Sequence, residues 1–276
     1  MITPPYLNPG DCIRIVSPAK AIEKQLILDA KNWWENQSYV VEIGQNAYNE
    51  LGYFAGSDEE RLADFQAALD DPNVKAIVCS RGGYGCIRLL EQLDWSSFYA
   101  APKWIIGFSD VTVFHLFLQA KGYQSIHATM PLNYGQNSDA ALATLASAVR
   151  GSEVSKTITT TFGQDASIVG GNLSIVYSLL GTPYLPNFNG KILFIEDLSE
   201  QLYHLDRMFF ALKMSGVLSS IKGLIVGGMT DMKDTLAPTN FTVQSIIAFH
   251  TSDLGIPVIF DFPAGHIDDN QAIVLG

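Results

Sequence analysis

Ser109 follows a short apolar run, Lys103-Trp-Ile-Ile-Gly-Phe-Ser-Asp110, and opens an apolar helical pattern, Val111 to Leu118. A serine at a strand-to-helix turn has its hydroxyl lifted off the sheet. It also lies near backbone N–H groups at a helix start, which favour developing negative charge. That is how a serine nucleophile is presented for acyl transfer. The other role open to Ser109 is an N-cap.

A second constellation is Cys79-Ser-Arg-Gly-Gly-Tyr-Gly85, leading into Cys86-Ile-Arg-Leu-Leu90. Three glycines at a strand-to-helix junction let backbone approach a ligand and leave N–H groups free to donate. They could form an oxyanion hole, with Gly83 and the amide after the nucleophile, Asp110, as donors. They could also form a phosphate cradle or a plain tight turn. The pattern is neither the Rossmann Gly-x-Gly-x-x-Gly nor a P-loop. Cys86 is a rival nucleophile, because a cysteine at a helix start can have a lowered pKa.

Such a serine needs a base, and the chain has five histidines. His115 lies inside the helix after Ser109 and does not readily reach back. His204 and His250 fall in helical patterns. His127, in Ile126-His-Ala-Thr-Met-Pro131, ends the next strand and is a serious rival. His266 lies just past a strand, in a loop stiffened by Pro263 and Gly265, and is the preferred base. A carboxylate should orient it. Glu196 ends the apolar run Lys191-Ile-Leu-Phe-Ile-Glu-Asp197, where burying an acid is costly without a partner. A solvated or helix-capping acid is the alternative there. Asp268 and Asp269 match no metal-ligand spacing, and no metal is expected.

These residues need a scaffold. Strand patterns at 12–17, 39–43, 74–79, 104–108 and 125–128 alternate with helical ones at 22–37 and from the Ser57-Asp-Glu-Glu60 capping box to about 69. Alternation of this kind implies a doubly wound parallel sheet, with ligands beyond the carboxyl ends of the strands. The polar, Thr-rich stretch at 151–168 lacks helical periodicity and reads as an extended crossover. Three parts are expected: a nucleophile domain at 1–150, this linker, and a smaller α/β domain at 169–276 that supplies Glu196 and His266. The second domain should contain helices near 172–180, 200–214 and 242–252, and strands at 191–195, 223–226 and 257–261. The active site would then lie between the domains. The end, Ala272-Ile-Val-Leu-Gly276, lacks a capping or polar finish, so the natural chain is expected to run further.

The 276 residues are 47% hydrophobic and 16% charged, with a net charge of −11 and a pI near 4.8. The acidic balance argues against nucleic acid as a partner. No signal peptide or transmembrane stretch is expected, and therefore no membrane partner. Three cysteines without ligand spacing fit a reducing cytoplasm.

The chain resembles the LD-carboxypeptidases, serine peptidases whose group also contains the microcin-C immunity peptidases. The resemblance rests on Pro9 to Ala19, Arg81-Gly-Gly-Tyr-Gly85, Gly107-Phe-Ser-Asp110, Gly170-Gly-Asn-Leu173, Phe194-Ile-Glu-Asp197 and Gly265-His266, in that order. It implies a triad of Ser109, Glu196 and His266, in agreement with the residue-level choice. It also implies release of terminal D-alanine from a murein tetrapeptide in cytoplasmic cell-wall recycling, with no metal or organic cofactor. An immunity-type peptidase acting on peptidyl or aminoacyl nucleotides is the alternative within the group. A non-catalytic ligand-binding module is the alternative outside it. Arg81 would meet the substrate carboxylate or form a structural ion pair. Tyr84 and Asn172 are further candidate substrate contacts, and a homodimer is left open. One departure is Ala128, where such enzymes commonly carry glycine.

Overall fold

The computed structural model describes residues 1–152, 156–163, 165 and 167–276. Its first half alternates strand and helix: β1 (Cys12–Val16), α1 (Lys24–Asn36), β2 (Val40–Ile43), α2 (Asp58–Asp70) and β3 (Val74–Cys79). There follow α3 (Cys86–Leu90), α4 (Ser96–Ala100), β4 (Trp104–Gly107), α5 (Thr112–Ala120), β5 (Ser125–His127) and α6 (Asp139–Val149). The strands run parallel in the order β5-β4-β3-β1-β2, the doubly wound arrangement expected from the alternation. Side chains alternate across the sheet. Ile77, Cys79 and Ile105 pack with Phe65, Phe98 and Phe114 on one face; Ala76, Val78, Trp104 and Ile106 pack with Ile27, Trp34 and Leu145 on the other.

The second half contains α7 (Lys156–Phe162), β6 (Ile168–Asn172), α8 (Leu173–Ser178), β7 (Ile192–Leu198), α9 (Leu202–Met214) and α10 (Val217–Ser220). After these come β8 (Gly223–Thr230), α11 (Val243–Thr251), β9 (Val258–Ile259) and β10 (Ile273–Leu275). Strands β6-β7-β8-β9 form a smaller parallel sheet. The stretch expected to be an extended crossover instead carries helix α7. Positions 153–155, 164 and 166 of that stretch lie outside the described residues.

Several contacts tie the two sheets together, three of them near the site. Strand β10 pairs antiparallel with β5 in the large sheet, while Ile273 and Leu275 pack against Ile168, Ile192 and Phe194 of the small one. Residues Ile273–Leu275 are thus an edge strand and a shared wall. Strand β6 lies against α5: Gly170 N–H donates to Gln119 Oε1 at 3.2 Å and Asn172 N–H to Thr112 Oγ1 at 3.0 Å. A Cβ on Gly171 would fall 2.6 Å from Thr112 Oγ1, so glycine is required where the strand meets the helix. The third tie is Ser138 at the start of α6, whose Oγ donates to Asp269 at 2.5 Å and whose N–H donates to the Asp268 carbonyl at 2.9 Å.

Local signals act as the sequence suggests. Ser57 and Glu60 close their capping box around the start of α2. At the other end of α2, buried Lys103 donates to the carbonyls of Ala68, Leu69 and Asp71 at 2.9, 2.8 and 2.7 Å. Burial lowers the Lys103 pKa to about 8. The folded state therefore releases this proton before the unfolded chain does, and its contribution to stability grows as pH rises from about 8 towards the ordinary lysine value. Lys103→Met should destabilise the fold by about 1–3 kcal/mol, because three buried carbonyls lose their donor. Urea unfolding of both proteins should show the wild-type advantage widening between pH 8 and pH 10; a gap that narrows would contradict this account.

Candidate active site

Strand β4 is buried throughout and ends at Gly107, where a Cβ would meet Val111 and Met130 at 3.0 and 3.2 Å. The chain then reverses. Phe108 is extended, Ser109 adopts φ +61°, and residues Ser109–Val111 form a single 3₁₀ turn that feeds α5. A left-handed serine is uncommon and costs on the order of 1–3 kcal/mol, so the surroundings must hold it. They do so through the glycine loop. The Cys86 N–H donates to Asp110 Oδ2 at 2.8 Å, and burial raises the Asp110 pKa. Buried Arg61 donates from Nη1 to the carbonyls of Pro18 and Gly85 at 2.6 and 3.3 Å, and pairs with Asp58.

Gly82 lies directly against the serine. A Cβ there would come within 2.8 Å of Ser109 Cβ, 2.9 Å of its Oγ and 3.1 Å of the Asp110 nitrogen. Gly83, chosen from sequence as a donor, is the next residue, and its open side faces Tyr53 and Lys20. Gly82 is therefore the loop residue that sequence reasoning underweighted; the signal was its place directly after Arg81 at the strand end. Cys86 is not a rival nucleophile. It is fully buried, and desolvation together with Asp110 pushes its thiol well above the usual range.

Glu196 sits near the carboxyl end of β7, fully buried, at a register shift between Ile195 and Asp197. Its Oε2 meets His266 Nδ1 at 2.5 Å. Burial would raise the glutamate pKa, but the charge of His266 and the nearby imidazole of His127 outweigh it and hold Glu196 at about 2. Burial likewise opposes charge on His266, yet Glu196 lifts its pKa above the ordinary histidine value. The histidine loop is built around this pair. A Cβ on Gly265 would lie 2.6 Å from Glu196 Cβ, the Gly265 N–H donates to Asn270 Oδ1 at 2.7 Å, and Thr230 Oγ1 donates to the His266 carbonyl at 2.7 Å.

The two halves meet across the sheets. The Phe108 ring, one residue before Ser109, lies edge-on to His266 with centroids 4.9 Å apart. Asn172, bonded to Thr112 just after the serine turn, stands opposite Glu196 in the β6–β7 ladder. His266 commits Nδ1 to Glu196, which leaves Nε2 for proton transfer. The arrangement can therefore take a proton from a hydroxyl and stabilise the resulting imidazolium.

The other expected residues separate. Arg81 is half-buried; its Nη1 donates to the Ala21 carbonyl at 3.0 Å, its Nε has no partner, and among the described residues it forms no ion pair. Tyr84 is exposed. The Asn172 side chain is engaged within the fold: its Oδ1 accepts from the Ile175 N–H and caps α8, while its Nδ2 donates to Asp197. Fully buried His115 donates from Nε2 to the Gly107 carbonyl and accepts from Ser125 Oγ, and burial holds its pKa at about 3. His204 and His250 pair with Glu200 and Asp206 in the second half. Asp269 accepts from Ser138 and Gln271, and among the described residues no group of three or more His, Cys, Asp or Glu could hold a metal ion.

Glu196→Gln removes the charge that lifts His266. Its imidazole should then titrate at lower pH than in the wild type, read by NMR on histidine-labelled protein. An unmoved midpoint would separate the two side chains electrostatically.

Residues 13–128 match the LD-carboxypeptidase N-terminal domain and residues 165–276 the LD-carboxypeptidase C-terminal domain. A Bacillus subtilis protein named probable murein peptide carboxypeptidase is 30% identical over 284 residues, which cover 99% of this chain and 89% of that one. The crystal structure of muramoyltetrapeptide carboxypeptidase from Oxalobacter formigenes superposes with a TM-score of 0.80 at 28% identity, covering 96% and 92% of the two chains. The apo structure of the microcin C7 self-immunity protein MccF shares the fold, with a TM-score of 0.86 at 20% identity over 100% and 94%. No described helix is long and apolar enough to cross a membrane. The chain belongs to the LD-carboxypeptidase family of peptidases.

Proposed function

We propose that this peptidase is a serine LD-carboxypeptidase that releases terminal D-alanine from murein tetrapeptides in the cytoplasm. The observation that carries the reading is the buried, ionised Glu196 bonded to His266, beside a left-handed serine turn. The likeness to a muramoyltetrapeptide carboxypeptidase supports the choice of substrate.

In this mechanism His266 Nε2 takes the proton from Ser109 Oγ as the oxygen attacks the scissile carbonyl. Glu196 stabilises the imidazolium. Backbone N–H groups of the Gly82–Gly83 turn and of Asp110 receive the oxyanion. His266 then protonates the departing D-alanine amine, leaving an acyl-serine. A water that gives its proton to His266 hydrolyses that ester and frees the tripeptide. Arg81, a half-buried cation without a carboxylate partner, binds the terminal carboxylate. Tyr84 lies in the same loop and is a candidate for contact with the peptide.

Ser109→Ala and His266→Ala should each lower kcat by roughly 10⁴–10⁶ while circular dichroism stays unchanged. Full turnover in either variant would remove that residue from the mechanism. Activity should survive exhaustive chelation; loss restored by zinc would exclude a metal-free serine mechanism. Mass spectrometry should show loss of one alanine from a tetrapeptide with an L,D terminal bond. The all-L analogue and a pentapeptide ending in D-Ala-D-Ala should be poor, since a misplacement of about 1 Å can cost on the order of a hundredfold. Faster cleavage of an aminoacyl sulfamoyl adenylate than of the tetrapeptide would replace this reading with the immunity-type one.

A further inference from the structure

One ionisable group at the centre of the site has no part in the mechanism above. His127 ends β5 with its side chain fully buried, and among the described residues neither ring nitrogen has a hydrogen-bond partner. An imidazole without partners in a dry interior is costly, because at least one nitrogen carries a proton that needs an acceptor. The nearest candidate is also orphaned. Glu196 gives Oε2 to His266, but its Oε1 is buried and unpartnered, 4.0 Å from His127 Nε2. A buried carboxylate oxygen without a donor is among the more expensive vacancies a protein can hold.

The surroundings fix which atoms face each other. The His127 ring is wedged edge-on between Phe108 and Phe194, with centroids 5.7 and 4.9 Å away. Phe108 also packs on His266, so one phenyl ring spaces the two histidines. Gly265 and Gly227 also pack closely on Glu196: a Cβ on either would fall 2.6 or 3.3 Å from Glu196 Cβ. Closing a gap of 4.0 Å to hydrogen-bond length needs a shift of about 1 Å, and catalytic hydrogen bonds are often long until substrate is bound.

We propose that His127 is a positioning residue for Glu196: its Nε2–H is the donor for Oε1, so the carboxylate is clasped between two imidazoles and turned towards His266. This rests on the reading of Glu196 and His266 as partners of Ser109. His127 takes no proton from the substrate; it fixes the group that orients the base. Its proton sits on Nε2, and Nδ1 is bare.

The titratable groups around the clasp are His115 on α5, Asp197 beside Glu196 on β7, His266, and Asp268 and Asp269 in the histidine loop. Of these, Asp197 reinforces the hold of Glu196 on the His266 proton. His115 stays neutral, and Asp269 is engaged by Ser138.

The test compares His127→Phe, which keeps the ring and its edge packing but removes the donor, with His127→Gln, which returns a donor near the position of Nε2. NMR on the free, histidine-labelled enzyme reads the His127 tautomer and the His266 midpoint. The wild type should show the Nε2–H tautomer. In the phenylalanine variant the less compensated carboxylate should hold the His266 proton more strongly, moving the midpoint up by roughly 0.5 unit, and glutamine should restore it. With the tetrapeptide, kcat should fall roughly tenfold to a hundredfold in His127→Phe with KM within about twofold, and recover in His127→Gln. An Nδ1–H tautomer, an unmoved midpoint in a folded phenylalanine variant, or a glutamine variant as impaired as phenylalanine would overturn the proposal. Should His127→Phe fail to fold, the wild-type tautomer and the glutamine variant decide. The NMR readouts use no peptide, so a wild type that does not cleave the tetrapeptide counts against the proposed substrate alone.

Discussion

A carboxylate at the centre of a protein is tolerated only when something charged or protic stands against it. Glu196 imposes that condition here, and much of the second half of the chain answers it. Strand β7 carries the acid into the interior. Gly227 and Gly265 give up side chains to make room, and the loop at 262–271 bends back so that His266 can reach Oε2. Asn270 and Thr230 then hold that loop from beneath. Each partner favours the charged form of the other: the glutamate pKa is lowered and the histidine pKa raised.

The first half supplies a different kind of stored constraint. Ser109 is held at a positive φ by a turn that would relax without its neighbours. Asp110 reaches across to the Cys86 amide, and Arg61 grips the loop carbonyls of Pro18 and Gly85. A hydrogen-bonded acid–imidazole pair in one domain and a strained backbone in the other meet where β6 crosses the start of α5.

Much of this was legible wherever the determinants are local. The capping box at Ser57 and the apolar runs of β3, β4 and β7 declare themselves within a few residues, and Glu196 and His266, chosen from sequence as partners, do pair in the structure. The misses have physical causes. Strand β6 contains Gly170 and Gly171, which weaken strand propensity; they are there because Phe194 and Thr112 leave no space for a Cβ. The threonines of α7 disfavour helix locally, so a helical segment read as extended. Strand β10 went unassigned because its partner, β5, lies almost 150 residues earlier. Asn172 stood in a matched motif, and only the fold reveals that it also caps a helix and donates to Asp197. Gly82 and Gly83 could not be ranked until the serine was seen against one of them.

The late arrival of β10 also matters for how the molecule is made. During synthesis the strands of the large sheet emerge first, and β5 stands as an open edge, able to recruit any other extended chain. It is only three residues long, which limits the hazard. The segment that finally covers it follows directly after the loop bearing His266. One stretch of chain therefore seals the edge and brings His266 to Glu196. A copy that still lacks β10 leaves β5 uncovered, and one that stops before residue 262 also lacks the His266 partner of Glu196.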